Sequence, residues 1–213
     1  MAGVPDVSEA RAWLARLEAS LAQRPGVRVK VDASVRLAAV LAMFRVADDG
    51  ELELLFIKRA EYEGDPWSGH VALPGGRHEP QDASLEDTAV RETLEELGVD
   101  VRAHGRVLGA LDDLHPRTPV LPPICVRPYV AVLEDDVPLV PSSEVAAAFW
   151  VPLSALLHPE TAVEATIVVR GEERVVPSYR FGDYTIWGMT ERILSGLLRR
   201  LTDRTEARAR PRS

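Results

Sequence analysis

Three glutamates crowd one short stretch, VRETLEELG at residues 90–98: Glu92, Glu95 and Glu96. Like charges three and four residues apart on a helix destabilise it by roughly a few tenths of a kcal/mol per pair. A hard divalent cation reverses that sign, because Mg2+ prefers carboxylate and water oxygens. The same residues also suit a plain solvated helix face, helped by Arg91 four residues before Glu95. The upstream segment separates the two readings. LPGGRHEPQD, residues 73–82, brings a glycine pair, Gly75 and Gly76, that permits close backbone approach, then two further acids, Glu79 and Asp82. A strand that enters a glycine pair, an acidic loop and an acidic helix together form a cradle for cations that hold a pyrophosphate.

The elements that must position these groups are legible in pattern. SLEDTAVRETLEEL, residues 84–97, predicts a helix, with Ser84 and Asp87 at capping-box spacing and Gly98 as its stop. Leu85, Ala89, Val90, Leu94 and Leu97 supply its apolar contacts. Residues 35–46 and 52–59 predict two strands joined through Asp48-Asp49-Gly50, a hairpin signal. HVALP, 70–74, is a short strand entering the glycines; 101–111, 124–134 and 147–153 are further strands. A hairpin turning at Arg170-Gly171-Glu172 precedes an amphipathic helix over 190–201. At the other end, 8–22 has helical apolar spacing with Ser8 as its cap.

Mixed strands with one central and one late helix predict an α+β fold, an α/β/α sandwich around a mixed β-sheet with flanking helices. Strict β-α-β alternation is missing, which argues against a dinucleotide-binding fold. The expected division is an N-terminal helical extension, 1–32, a main domain, 33–201, and a disordered tail, 202–213. A net charge of −8 over 213 residues argues against a nucleic-acid partner. No apolar run reaches bilayer length, so no membrane partner is expected either. The single Cys125 rules out an internal disulfide framework and suits the cytoplasm. The five histidines lack metal-ligand spacing.

Residues 76–99 resemble the Nudix box, G-x5-E-x7-R-E-U-x-E-E-x-G-U, where U is aliphatic. Gly76, Arg91-Glu92, Glu95-Glu96, Gly98 and Val99 match it. Thr93 stands where an aliphatic residue is usual, and Asp82 replaces the upstream glutamate one residue further from Arg91. PGGRHEPQDASLEDTAVRETLEELG is similar to the variant box of the coenzyme A pyrophosphatase branch, as is TIWGMTERIL later in the chain; His70 stands where that branch usually has glutamine.

The resemblance implies a hydrolase that uses Mg2+ or Mn2+ to cleave the pyrophosphate of a small-molecule nucleoside diphosphate derivative, coenzyme A or its acyl thioesters first. ADP-ribose or another nucleotide is the alternative, and a non-catalytic nucleotide sensor the lesser one. It implies Glu92, Glu95, Glu96, the Gly76 carbonyl and Asp82 as metal ligands, with Arg91 orienting the glutamates. Glu144 resembles the distal acid of the family, acting as base or ligand. Arg59, Arg117, Gly75 and Gly76 are expected at the substrate, Glu79 beside a second ion, and Trp67, Phe149, Tyr184 or Trp187 against a base. A homodimer is compatible with this reading.

Overall fold

RLAAVLAMFRV shows no alternation of polar and apolar residues, the mark of a strand buried on both faces. In the computed structural model, which describes residues 7–63, 67–116, 123–169 and 171–202, this segment is the central strand β1 (Arg36–Val46). Its residues alternate between two cores: Ala38, Ala42 and Phe44 face one, Ala39, Leu41 and Met43 the other. β2 (Leu52–Arg59) returns antiparallel through the expected turn, Gly50 at φ +89°. β1 and β2 then part. β3 (Val71–Ala72) pairs with β2 and β4 (Gly75–Arg77) with β1, so the two short strands fill the fork between them. β4, built from the glycine pair, is a strand that periodicity does not reveal.

α2 (Leu85–Leu97) covers one face of this sheet. The Ser84 hydroxyl accepts the Asp87 N–H at 3.1 Å, and Gly98 closes the helix at φ +70°. The box is only half formed: the Asp87 carboxylate takes the Ser84 hydroxyl and Arg102 instead of a backbone N–H. Leu94, expected in the core, is exposed, while Thr88, Thr93 and Glu96 are buried. The Thr93 hydroxyl is satisfied by the Ala89 carbonyl at 2.7 Å, so a polar side chain sits at the aliphatic position without an orphaned donor.

The expected strand 101–111 begins as a helix. Asp100 caps Arg102 and Ala103 N–H, producing α3 (Val101–His104) before β5 (Gly105–Ala110). β6 (Ile124–Leu133) lies between β5 and β1, parallel to β1 from Arg36↔Ile124 to Phe44↔Val132. β7 (Val145–Pro152) lines the outer edge of β2, and α4 (Leu153–Leu157) follows, taking Leu153 from the end of the expected strand. β8 (Ala162–Val169) and β9 (Glu172–Phe181) are the predicted hairpin; Arg170 lies outside the described residues. A second turn at Gly182, φ +55°, makes β10 (Tyr184–Trp187) a third strand where a single hairpin was expected.

The second face of the main sheet is covered by α1 (Ser8–Gln23) and α5 (Gly188–Thr202), completing the sandwich. Val7, not Ser8, occupies the cap position of α1, and no side-chain cap bond forms. α5 buries Ile193, Leu194, Leu197, Leu198 and Leu201, a 3.6-residue stripe. It reaches one residue into the expected tail, whose remainder lies outside the described residues, as do residues 1–6. A strap leads from α1 into the domain: Val27 N–H donates to Asp112 Oδ1 at 2.9 Å and Val29 N–H to Asp113 Oδ2 at 3.0 Å. Gly26 is required there, since a Cβ would fall 2.1 Å from the Leu111 carbonyl oxygen.

Candidate active site

The glycine pair and α2 meet at the fork. Gly75 adopts φ +145°, where L side chains are strained, and a Cβ would sit 2.3 Å from the Ala39 carbonyl oxygen. Its N–H donates to Glu96 Oε2 at 2.9 Å. A Cβ on Gly76 would lie 2.4 Å from Glu92 Cδ, so only glycine lets that carboxylate approach the β4 backbone. Glu96 is 3% exposed and Glu92 has a side chain 17% exposed; both face this short strand. Glu95 is different, with a side chain 58% exposed, held at the rim by Arg91 Nη1 at 3.0 Å. The expected trio therefore divides into two inward carboxylates and one outward. Among the described residues no cluster of three His, Cys, Asp or Glu side chains is preformed for a metal.

Burial without full compensation shapes the electrostatics. Desolvation pushes the Glu96 carboxyl up to about 7, reinforced by Glu92 and Glu144 and opposed by the Gly75 N–H and Arg59. Desolvation also raises Glu92, with Glu95 and Glu144 adding repulsion and Arg91 opposing. Arg59 Nη1 stands 3.9 Å from Glu96 Oε1, at the end of β2. Glu144 is exposed but close enough to act on both buried acids. Its loop is stitched to the site: Ser142 N–H donates to the Glu96 carbonyl, Val140 N–H to that of Leu97, and Ala60 N–H to that of Glu144. Tyr62 adds a hydroxyl bond to the Ser143 carbonyl at 3.0 Å, a contact that nothing in the sequence pattern announces.

Asp82 is not among the converging acids. Arg91 holds it through Nε to Oδ1 at 2.8 Å and Nη2 to Oδ2 at 3.0 Å. Thr88 Oγ1 and the Glu79 N–H also donate to it, at 2.8 and 3.0 Å. These bonds, Arg91 foremost, keep its carboxyl well below the usual range. With a side chain 3% exposed and its oxygens engaged, it anchors Arg91 and has no free face for an ion. Arg91 in turn bonds the Arg77 carbonyl and reaches Glu92 and Glu95, so Asp82 orients the glutamates at one remove. His78 Nδ1 lies 2.9 Å from Thr88 Oγ1; since that hydroxyl donates to Asp82, His78 donates to it. Thr88 matches the variant box, which is the sequence signal for this support; His78 carried none.

Other expected groups fall elsewhere. Glu79 is exposed in the loop and takes the Gln81 amide. Phe149 is stacked between Phe56 and Tyr184, the latter with ring centroids 3.9 Å apart, and so offers no free face to a base; Tyr184 packs against the α1/α5 core. Trp187 packs on His70 at 4.5 Å, next to Arg59, whose N–H donates to the His70 carbonyl. Arg117 lies outside the described residues.

The NUDIX domain family matches residues 35–170, more than half of the chain, and the chain belongs to that family. Nudix hydrolase 15, mitochondrial, of Arabidopsis thaliana is 34% identical over 166 residues, 74% of this chain and 55% of that protein. The peroxisomal coenzyme A diphosphatase NUDT7 of Mus musculus is 30% identical over 156 residues, 70% of this chain and 63% of that protein. The chain spans 34% to 63% of the length of four curated relatives it matches. A MutT/nudix family protein of Enterococcus faecalis superposes with a TM-score of 0.57 at 20% identity, covering 97% of this chain and 78% of that one, a likeness of fold. No helix of the described residues is long and apolar enough to cross a membrane.

Proposed function

We propose that this chain is a divalent-cation-dependent hydrolase that cleaves the P–O–P bridge of a nucleoside diphosphate derivative, with coenzyme A or its acyl thioesters as first substrate class. Water adds across the bridge, giving adenosine 3',5'-bisphosphate and 4'-phosphopantetheine or its acyl form. The observation that carries the reading is the convergence of Glu92 and Glu96 on the Gly75–Gly76 backbone. Two desolvated carboxylates of raised pKa are the donor set that a hard cation, Mg2+ or Mn2+, relieves of repulsion. Glu92, Glu96 and the Gly76 carbonyl would hold it, with Glu95 swinging in from the rim. The bound cation supplies charge neutralisation of the bridge and a more acidic water. Arg91, fixed by Asp82, sets the direction of Glu92 and Glu95. Arg59 stands at the cleft to meet phosphate oxygen, and Glu144 is the free acid available as base or further ligand.

The coenzyme A preference draws support from the variant box and from the named activity of the mouse relative. Cleavage of ADP-ribose is the second reading, since His70 replaces the usual glutamine. The buried lone Cys125 fits a reducing compartment such as the cytoplasm. Incubation with coenzyme A, acetyl-coenzyme A and ADP-ribose in Mg2+ or Mn2+, with products read by mass, tests the proposal. Turnover of ADP-ribose alone reverses the order of substrates, and turnover of none in either metal removes the hydrolase reading.

Gly76→Ala should keep the fold, because the colliding atoms are the mobile end of Glu92. Displacing that carboxylate is expected to raise the Mg2+ needed for half-maximal activity by roughly 10–100-fold. An unchanged Mg2+ titration would separate Gly76 from the metal.

A further inference from the structure

A hollow of about 410 Å³ opens between α5 and the connection that leaves β5. It lies on the α1/α5 face, against Leu111 and Ile193 of that core, with the sheet between it and the glutamates of α2. Its size is that of a small-ligand site. Gly196 forms part of its wall, and a Cβ there would meet nothing nearer than Arg199 Nη2 at 4.0 Å. Ser195 beside it is held in place by Glu191 at 2.7 Å and Tyr179 at 3.1 Å.

Asp112, Asp113 and Glu191 balance Arg192, Arg199 and Arg200 around the hollow, so its lining is neutral where the chain as a whole carries −8. Each acid lining it is engaged: Asp112 pairs with Arg200 at 3.1 Å, and Asp113, 1% exposed, takes two bonds from Arg127 at 2.8 and 2.9 Å. Glu191 accepts the Ser195 hydroxyl. Arg192 and Arg199, which also line it, have no acidic partner among the described residues. They sit seven residues apart on one helix face, roughly 10 Å along the axis, with Ser195 and Gly196 between them. Both are exposed at the mouth of the recess, and their planar forks match the geometry of a phosphate.

We propose that this hollow is a second site, apart from the metal cleft, for a small phosphorylated organic molecule of mononucleotide size. The phosphate meets Arg192 and Arg199, and the body of the ligand enters over Gly196 against Leu111 and Ile193. The site has a route to the cleft: Pro128, in its wall, is in register with Val40, and Val40 with Gly75, whose N–H holds Glu96.

AMP is the probe, titrated calorimetrically in EDTA so that cation-held phosphate binding is excluded. Wild-type protein should bind it saturably. Arg192→Ala/Arg199→Ala should weaken it about tenfold or more, and Gly196→Leu, whose Cβ would meet only Arg199 Nη2, should do the same. Arg59→Ala, which alters only the cleft, should bind as wild type. Inorganic phosphate should bind more weakly and be displaced by AMP. No saturable binding overturns the proposal. So does loss in Arg59→Ala alone, or loss in the double variant with full retention in Gly196→Leu, which would mark a mere surface attraction. Thermal melts of each variant verify that the fold is intact. None of these readouts depends on hydrolysis, so the hydrolase reading and this site fail separately.

Discussion

Glu96→Gln is expected to lower pyrophosphate hydrolysis by roughly 10²–10³-fold, the size seen when one preorganised electrostatic group is removed. The same change should make the metal-free protein more stable at neutral pH. The Glu96 carboxyl titrates near 7 in the folded chain against an ordinary 4.5. As pH rises through that interval the unfolded chain has already released its proton while the folded one retains it, so stability falls. Glutamine escapes the loss, worth up to about 3 kcal/mol by pH 8. Its amide oxygen can still accept the Gly75 N–H, so the local fold survives. The measurement is a pair of assays: hydrolysis in Mg2+, and melting in EDTA at pH 5 and pH 8. The variant should melt above wild type at pH 8 and close to it at pH 5. Full hydrolysis by the variant would sink the ligand role.

The second large effect is on stability alone. Asp82→Ala leaves the Arg91 guanidinium, the Thr88 hydroxyl and the Glu79 N–H without their shared acceptor. Breaking a buried ion pair from one side costs about 3 kcal/mol, a fall in Tm of roughly 6–12 °C for a chain of this size. The Asp82 carboxyl is held below its ordinary 3.8, so its contribution is present above that pH and fades as pH drops beneath it. Wild type and variant should therefore differ most near neutrality and converge in acid. If Tm held while Mg2+ affinity dropped, Asp82 would be a metal ligand after all and its anchoring role would be wrong.

Much of this architecture was legible because local chemistry and global fold agree. Ser84, the 3.6-residue pattern and Gly98 define α2 within the chain's own sequence, and the unbroken apolar run over 37–44 marks β1 as a strand. What stayed hidden depended on partners distant in sequence. Nothing in LPGGR says that the glycines form a ladder with β1, since β4 exists only because β1 and β2 part. The direction of each glutamate was equally hidden. Helical spacing places Glu92, Glu95 and Glu96 within one patch, but the approach of Gly75 and Gly76 decides that Glu96 is buried and Glu95 left at the rim. Asp82 was expected at an ion because acids near a metal box invite that reading; its capture by Arg91 needs the loop's path. α3 had a signal in Asp100, and the turn before β10 had one in Gly182-Asp183, both read through as strand.

The parallel pairing of β1 with β6 has a consequence for biosynthesis. Both edges of β1 need partners, and the one supplied by Ile124–Val132 leaves the ribosome long after β1 itself. Until then the nascent chain presents a long, apolar, half-covered strand, the kind of surface on which sticky encounters begin. Assembly of the central sheet waits until the ribosome has delivered residues 124–132.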